Sequence, residues 1–392
     1  MPSELFILSP CDVFPPVHGG GTRVRLTVEC LQERHRLKFF LSHAYSRSNQ
    51  QPVHKPTHPN LTIRYCTKTF LDAFGYRAIL LNPFYFRDAE SFMKHSQVDI
   101  IHCELLWSAF AGVFLKTRFK KPLLLVQHNV ESLKFKQMGK MAYYRFLRKI
   151  ERFCCEKADK IVVVSEVDKN SLLTLYNLPE DKISVVRNCV NPDIFKFNQQ
   201  DRDFVRRKFE VDNETIVITF VGKLDYFPNA VAVKNIAEQV YPAIIKNHSK
   251  TKFLVVGDHF ESHLRYQQKN LVFTGYVDDL PSYLSASDIV VAPIYSGSGT
   301  RLKTLEAASC SRPIVSTKKG VEGQDFLEGK EVLITEKVDE NFIDAISRLI
   351  DDASLRARIG RNARKRIEIQ YDCKKEMEKF DEIYQELSRE HV

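Results

Sequence analysis

Asp288 to Thr317, DIVVAPIYSGSGTRLKTLEAASCSRPIVST, restricts what this chain can fold into more than any other stretch. It opens on an apolar run, Ile289 to Ala292, which Pro293 ends, and that is the pattern of a buried strand. Tyr295 to Thr300 form a loop in which Gly297 and Gly299 let backbone approach a ligand closely. Leu302, Leu305, Glu306 and Ala308 then recur at helical spacing, Cys310-Ser311-Arg312-Pro313 closes the helix, and Ile314 to Thr317 reads as the next strand. Strand, glycine loop, helix and strand form one winding of a doubly wound parallel sheet. Free N–H groups and the helix dipole make such a loop an anion site. Arg301 and Lys303 in the first helical turn oppose that dipole, so they serve something other than helix stability, such as a phosphate. Glu306, one turn further, can accept bonds from sugar hydroxyls. A tight turn with solvated basic residues is the plain alternative, because a short glycine motif alone is weak evidence.

The chain has 392 residues, more than one ordinary core covers, so two domains are expected. Hydrophobic content of 44% with 27% charged residues describes a soluble globular protein. No apolar run approaches the ~20 residues that cross a bilayer. The start, MPSELFILSPCD, lacks a basic region and reads as a first strand, not a signal peptide. Nine cysteines without zinc spacing suggest reduced thiols in a cytoplasmic protein. The net charge of +9 is uneven: residues 1–190 carry 28 Lys and Arg against 17 Asp and Glu, and the remainder 30 against 32. The first half is therefore expected to face something anionic. No nucleic-acid module is present, so an anionic membrane surface, the inner face for a cytoplasmic protein, or a lipid-phosphate acceptor fits better, beside a merely basic solvated surface.

Further strand–loop–helix units follow the same grammar. Leu5 to Leu8 is a strand, Gly19, Gly20 and Gly21 form a loop facing phosphate or sugar, and a helix starts near Arg23. The loop is not GxGxxG, so an NAD fingerprint is not supported. Ser46 to Asn60 reads as loop. Residues 66–95 mix Phe70, Phe74, Tyr76, Phe84 and Phe86 with Lys68, Arg77 and Arg87. A core helix with Arg side chains reaching out to water is the commoner cause of that pattern, a lipid interface the alternative. Val98 to Cys103 is a strand ending at Glu104, and Leu123 to Gln127 another ending at His128. Functional residues of open parallel sheets gather past the carboxyl ends of strands, which singles out His128. Glu131 either orients that imidazole or caps the next helix, expected from Ser132 to Lys157, whose seven Lys and Arg between 134 and 152 make it the best candidate for an anionic surface. Ser165 caps a helix from Glu166. Ile216 to Gly222 opens a second sheet, followed by Lys223, and Lys252 to Gly257 is a strand whose terminal glycine allows close packing against a nucleotide.

Gly297 to Glu306 reproduces a G-x-G-T-R-L-K-x-L-E pattern, and the whole stretch resembles the signature region of retaining glycosyltransferases of family 4. The resemblance implies the GT-B fold, α/β with two Rossmann-like doubly wound domains facing a central cleft. It implies transfer of a sugar from a nucleotide diphosphate sugar to an acceptor hydroxyl, in glycan, glycolipid or polysaccharide biosynthesis, with no cofactor and no metal. Residues 1–195 would form the acceptor domain and 196–371 the donor domain, with the helix 372–392 packing back on the first. Lys223, Arg301, Lys303 and the N–H groups of Gly299 and Thr300 would bind the donor phosphates, and Glu306 the ribose. His128 would contact the donor sugar or line the acceptor side. The Gly19–Gly21 loop would lie against phosphates and acceptor. Tyr276 and Val277 resemble the turn under the nucleotide base. Three departures stand out: Lys223 replaces the usual Arg after Gly222, Asn229 takes the approximate place of a second Lys, and Ser298 replaces a first Glu that touches the donor sugar. A sugar-nucleotide epimerase and a non-catalytic sugar-nucleotide-binding scaffold are the alternatives.

Overall fold

The structure, a computed structural model, describes residues 2–14, 16, 19–44, 57–258, 265–297 and 299–390. Ser298 and most of the loop expected at Ser46 to Asn60 lie outside the described residues. The chain divides into two compact units: residues 1–187 with 374–392, and residues 188–373. The junction at 187/188 lies eight residues before the 195/196 expected from sequence.

In the first unit seven strands are described: β1 (Glu4–Ser9), β2 (Arg36–Leu41), β3 (Leu61–Tyr65), β4 (Ile100–Glu104), β5 (Leu123–Gln127), β6 (Lys160–Val163) and β7 (Ile183–Val185). They pair in parallel in the order β3-β2-β1-β4-β5-β6-β7. Unbroken apolar runs such as Leu123-Leu124-Leu125-Val126 form the central strands because both faces are covered, and all four of these side chains are fully buried. The order reverses between β1 and β4, and the crevice outside the carboxyl ends at such a reversal is where this architecture binds ligands. Glu104 ends β4 at that point, and Leu105 after it has φ +66°, a left-handed conformation that costs a branched residue about 1–3 kcal/mol.

Three expectations for this unit are corrected. The helix after β1 begins at Gly19, so Gly19–Gly21 are its first turn and not a loop before it. The helix expected from Ser132 to Lys157 is two helices, Glu131–Gln137 and Met141–Lys157, parted where Gly139 takes φ +72°. The aromatic stretch 66–95 is only partly core. Its helix Pro83–Lys94 buries Tyr85, Ala89, Phe92 and Met93, but two short 3-10 turns before it leave Phe70 and Leu81 each 78% exposed, and Phe74 72%. Ser165 is the N-cap of Glu166–Tyr176, accepting the N–H of Asp168 at 3.1 Å.

The second unit repeats the plan with β8 (Ile216–Val221), β9 (Thr251–Val256), β10 (Leu271–Gly275), β11 (Ile289–Ala292), β12 (Ile314–Thr317) and β13 (Leu333–Thr335). Their order is β10-β9-β8-β11-β12-β13, all parallel, with the reversal between β8 and β11. Gly257 after β9 has φ +136°, and a Cβ there would stand 2.3 Å from the Gly222 carbonyl oxygen, so glycine is required by the chain's own backbone.

Candidate functional site

In the second unit the loop after β8 and the loop after β11 emerge at the reversal of strand order. The helix Leu302–Ser309 starts there with Arg301 as its N-cap, whose side chain makes no cap bond. The Arg301 guanidinium folds over its own loop instead, donating to the carbonyls of Gly299 and, at 3.4 Å, Ser296. The loop is anchored from two sides. Asn188 donates to the Thr300 hydroxyl, and the Gln324 amide donates to the Arg301 carbonyl at 2.7 Å while its oxygen accepts from Thr304.

Lys303 points along the helix to β8. Its Nζ donates to Asn229 Oδ1 at 2.8 Å and lies 4.4 Å from the Phe220 ring centroid, and the Asn229 amide donates to the Lys223 carbonyl at 2.9 Å. Gly222 leaves room for this arrangement: a Cβ there would sit 2.7 Å from both Lys303 Nζ and Asn229 Nδ2. Asn229 brings no charge of its own, but it holds the charge of Lys303. Burial pushes the Lys303 ammonium down to about 7, the Arg301 charge adds to that, and Glu306 opposes it. Burial likewise pushes the Glu306 carboxyl up to about 7, against the nearby lysine. Lys223 pairs with Asp225 at 2.8 Å, both more than a third exposed, so the pair is worth about 0–1 kcal/mol and yields readily to a stronger anion. Gly222, Lys223, Lys303 and Asn229 are thus brought together, with Arg301, Gly299 and Thr300 on the loop that leads into the Lys303 helix. Tyr276 is about half exposed after β10, and Val277 beside it packs against the core under that strand. Two ammonium groups, a guanidinium fork, backbone N–H groups and a helix start can together neutralise a diphosphate.

The first unit holds a buried polar group at its own reversal point. His128 Nε2 is 2.7 Å from Glu104 Oε2, and Glu104 Oε1 is 3.1 Å from His102 Nε2. Burial opposes the charge on Glu104, but the two imidazoles outweigh it and hold the carboxyl well below its ordinary range. Burial lowers the His128 pKa, against the pull of Glu104. The orienting partner of His128 is therefore Glu104, not Glu131. Glu131 accepts from Asn129 and Lys134 in the first turn of its helix, whose own first N–H groups are capped by buried Glu151 at 2.8 and 3.2 Å. Gly21 is buried in the helix after β1, Gly19 exposed and Gly20 between. Sequence reasoning missed His102, Asn188, Gln324 and the role of Glu104. A carboxylate closing an apolar strand was the available signal for Glu104.

The family matches agree with this plan. A family model described as Glycosyltransferase Family 4 matches residues 17–194, and one described as Glycosyl transferases group 1 matches residues 215–352. The chain is 27% identical over 278 residues to the capsular polysaccharide biosynthesis glycosyltransferase CapM of Staphylococcus aureus, covering 67% of this chain and 70% of that protein. It is 24% identical over 305 residues to the UDP-Gal:alpha-D-GlcNAc-diphosphoundecaprenol alpha-1,3-galactosyltransferase of Escherichia coli, covering 74% and 76%. Its fold is similar to that of sucrose-phosphate synthase from Thermosynechococcus elongatus, with TM-score 0.81, 17% identity, and 98% and 99% of the two chains covered. The relatives carry transferase names, which sets the epimerase and scaffold alternatives aside. With one match on each half and two sheets in the same doubly wound order, the chain belongs to glycosyltransferase family 4, as an enzyme of the GT-B fold that transfers glycosyl groups.

Proposed function

We propose that the enzyme takes a hexosyl group from a nucleoside diphosphate sugar bound at the second unit and passes it to a hydroxyl of a glycan or lipid-linked acceptor, retaining the anomeric configuration. The observation that carries this reading is the Lys303 ammonium held by Asn229 over Gly222 at the end of β8. The hard step is departure of the nucleoside diphosphate, whose phosphate gains charge as the glycosidic bond breaks. Lys303, Arg301, Lys223 and the N–H groups of Gly299 and Thr300 stabilise that charge, without a divalent ion. Glu306, near its own titration midpoint at neutral pH, both donates to and accepts from ribose hydroxyls. The name of the Escherichia coli relative includes UDP-Gal and a lipid diphosphate, which supports uracil as the base and a lipid-linked acceptor.

A thermal-shift panel of UDP, GDP and ADP with the matching nucleosides tests this. A selective shift by UDP and none by uridine is expected. Equal shifts by all six, or none, would contradict it.

The same proposal places the first unit against the inner face of a membrane. Among the described residues no helix is long and apolar enough to cross one. The helix Met141–Lys157 leaves Met141, Tyr143 and Phe146 exposed beside Arg145, Arg148 and Lys149, and the Phe70–Leu81 turns add three exposed apolar side chains. Exposed aromatics among cations suit the boundary between headgroups and acyl chains of an anionic bilayer. A lipid-linked acceptor would be met at that surface.

A further inference from the structure

The partners of His128 run through the first unit to the last helix of the chain, Cys373–Glu390. His102 Nδ1 lies 2.7 Å from the Tyr384 hydroxyl, and its Nε2 faces Glu104. His102 and Glu104 are fully buried and Tyr384 is 1% exposed. Tyr384 also stacks on Phe380 at 5.9 Å, so its ring is fixed. Proton bookkeeping leaves one consistent arrangement. A carboxylate only accepts, so His102 donates through Nε2 to Glu104 Oε1, and its Nδ1 then accepts from the Tyr384 phenol, which burial keeps protonated. The carboxylate has only acceptors to offer, so the 2.7 Å contact at Oε2 takes the N–H of His128 Nε2. That leaves the lone pair of His128 on Nδ1. His128 is 7% exposed, and its Nδ1 is buried with no hydrogen-bond partner among the described residues. A buried acceptor without a donor is costly to leave unmade.

We infer that Glu104, His102 and Tyr384 are positioning residues that lock His128 in one tautomer, so that its Nδ1 accepts a hydrogen bond from a substrate hydroxyl. The left-handed Leu105 directly after Glu104 is consistent with a carboxylate held in place at some backbone cost. The inference rests on the reading of His128 as part of the substrate-binding surface of a glycosyl transferase. It adds a stated chemistry: the group His128 meets must be a hydroxyl or another donor, so a deoxy or O-methyl substrate analogue loses this contact. It also makes the last helix part of the catalytic apparatus through Tyr384.

The tautomer is read without substrate, from 15N-histidine NMR of the full chain, with the His128 signals assigned from a His128→Gln variant. The expected wild-type result is a protonated Nε2 and an unprotonated Nδ1. Glu104→Gln presents an amide donor or a weaker acceptor and should shift His128 toward the other tautomer, while kcat falls about 10–100-fold and the donor KM stays within a few-fold. Tyr384→Phe keeps the ring packing and removes only the hydroxyl; Glu104 remains an acceptor, so His128 should keep its tautomer while kcat falls by less than in Glu104→Gln. A wild-type His128 protonated on Nδ1 would overturn the inference even if sugar transfer is confirmed. The expected tautomer together with unchanged kcat in both variants would overturn the positioning role. Failure of nucleotide binding would leave the tautomer result intact and strike the donor reading alone.

Discussion

A lysine whose charge is incomplete at neutral pH responds to an incoming anion by taking up a proton. Lys303 is such a residue, because burial and the Arg301 charge bring it to about 7. A bound diphosphate raises its pKa again. Below pH 7 the ammonium is charged with or without ligand, so Lys303 adds no pH dependence to affinity there. Above pH 7 the free protein has lost the proton that the complex needs, so the dissociation constant for a nucleoside diphosphate should rise by up to about tenfold per pH unit. Calorimetry at pH 7, 8 and 9 in two buffers of different ionisation heat should show proton uptake that grows with pH. Lys303→Arg, always charged, should bind with a flat profile although it gives up the Asn229 geometry. A flat profile in the wild type would remove Lys303 from the phosphate site. The sequence marked Lys303 as a cation opposing a helix dipole. Its partner Asn229, 74 residues away, is known only once β8 and β11 lie side by side.

At the scale of elements, continuous apolar runs make the central strands legible, because a strand covered on both faces needs no alternation. Apolar character alone does not say which side of a helix is covered. The stretch 66–95 shows this: Phe92 and Met93 are core, while Phe70, Phe74 and Leu81, equally apolar, remain exposed on two short turns. These three carry a prediction. Sedimentation with vesicles of anionic phospholipid should bind the wild type, with binding reduced by salt, and the triple variant Phe70→Ser, Phe74→Ser, Leu81→Ser should bind at least about tenfold more weakly with its melting temperature unchanged. Equal binding to neutral vesicles, or by the triple variant, would contradict the membrane contact. Likewise, the nearest carboxylate in sequence to His128 was Glu131, yet strand order brings Glu104 of β4 against it from 24 residues away. Which strands neighbour each other is a property of crossovers, not of any local pattern.

For the whole molecule, the two sheets share one winding order, and each places its polar group where that order reverses. The fold class was legible because the strand–loop–helix unit recurs along the chain. The carboxylate, imidazoles and phenol grouped in the first unit were not, because they lie on three separate segments: β4, the end of β5 and the last helix. Among the described residues no group of three His, Cys, Asp or Glu side chains could hold a metal ion. The proposed charge neutralisation by Lys and Arg predicts that sugar transfer persists in EDTA at no less than about half its rate. Full loss restored by magnesium would assign that role to a metal.

The proposed reaction depends on the Lys303, Asn229 and Gly222 cradle holding the donor diphosphate. The most direct measurement is calorimetry of UDP and uridine on the wild type, Lys303→Gln and Gly222→Ala. The added methyl of Gly222→Ala first meets the Lys303 and Asn229 side chains and no backbone atom nearer than these, so the fold should survive while the pair is displaced. Both variants should lose at least about tenfold in UDP affinity, the equivalent of one charge-assisted hydrogen bond, and less than about threefold for uridine. Equal losses for the two ligands, or no loss for UDP, would contradict the account.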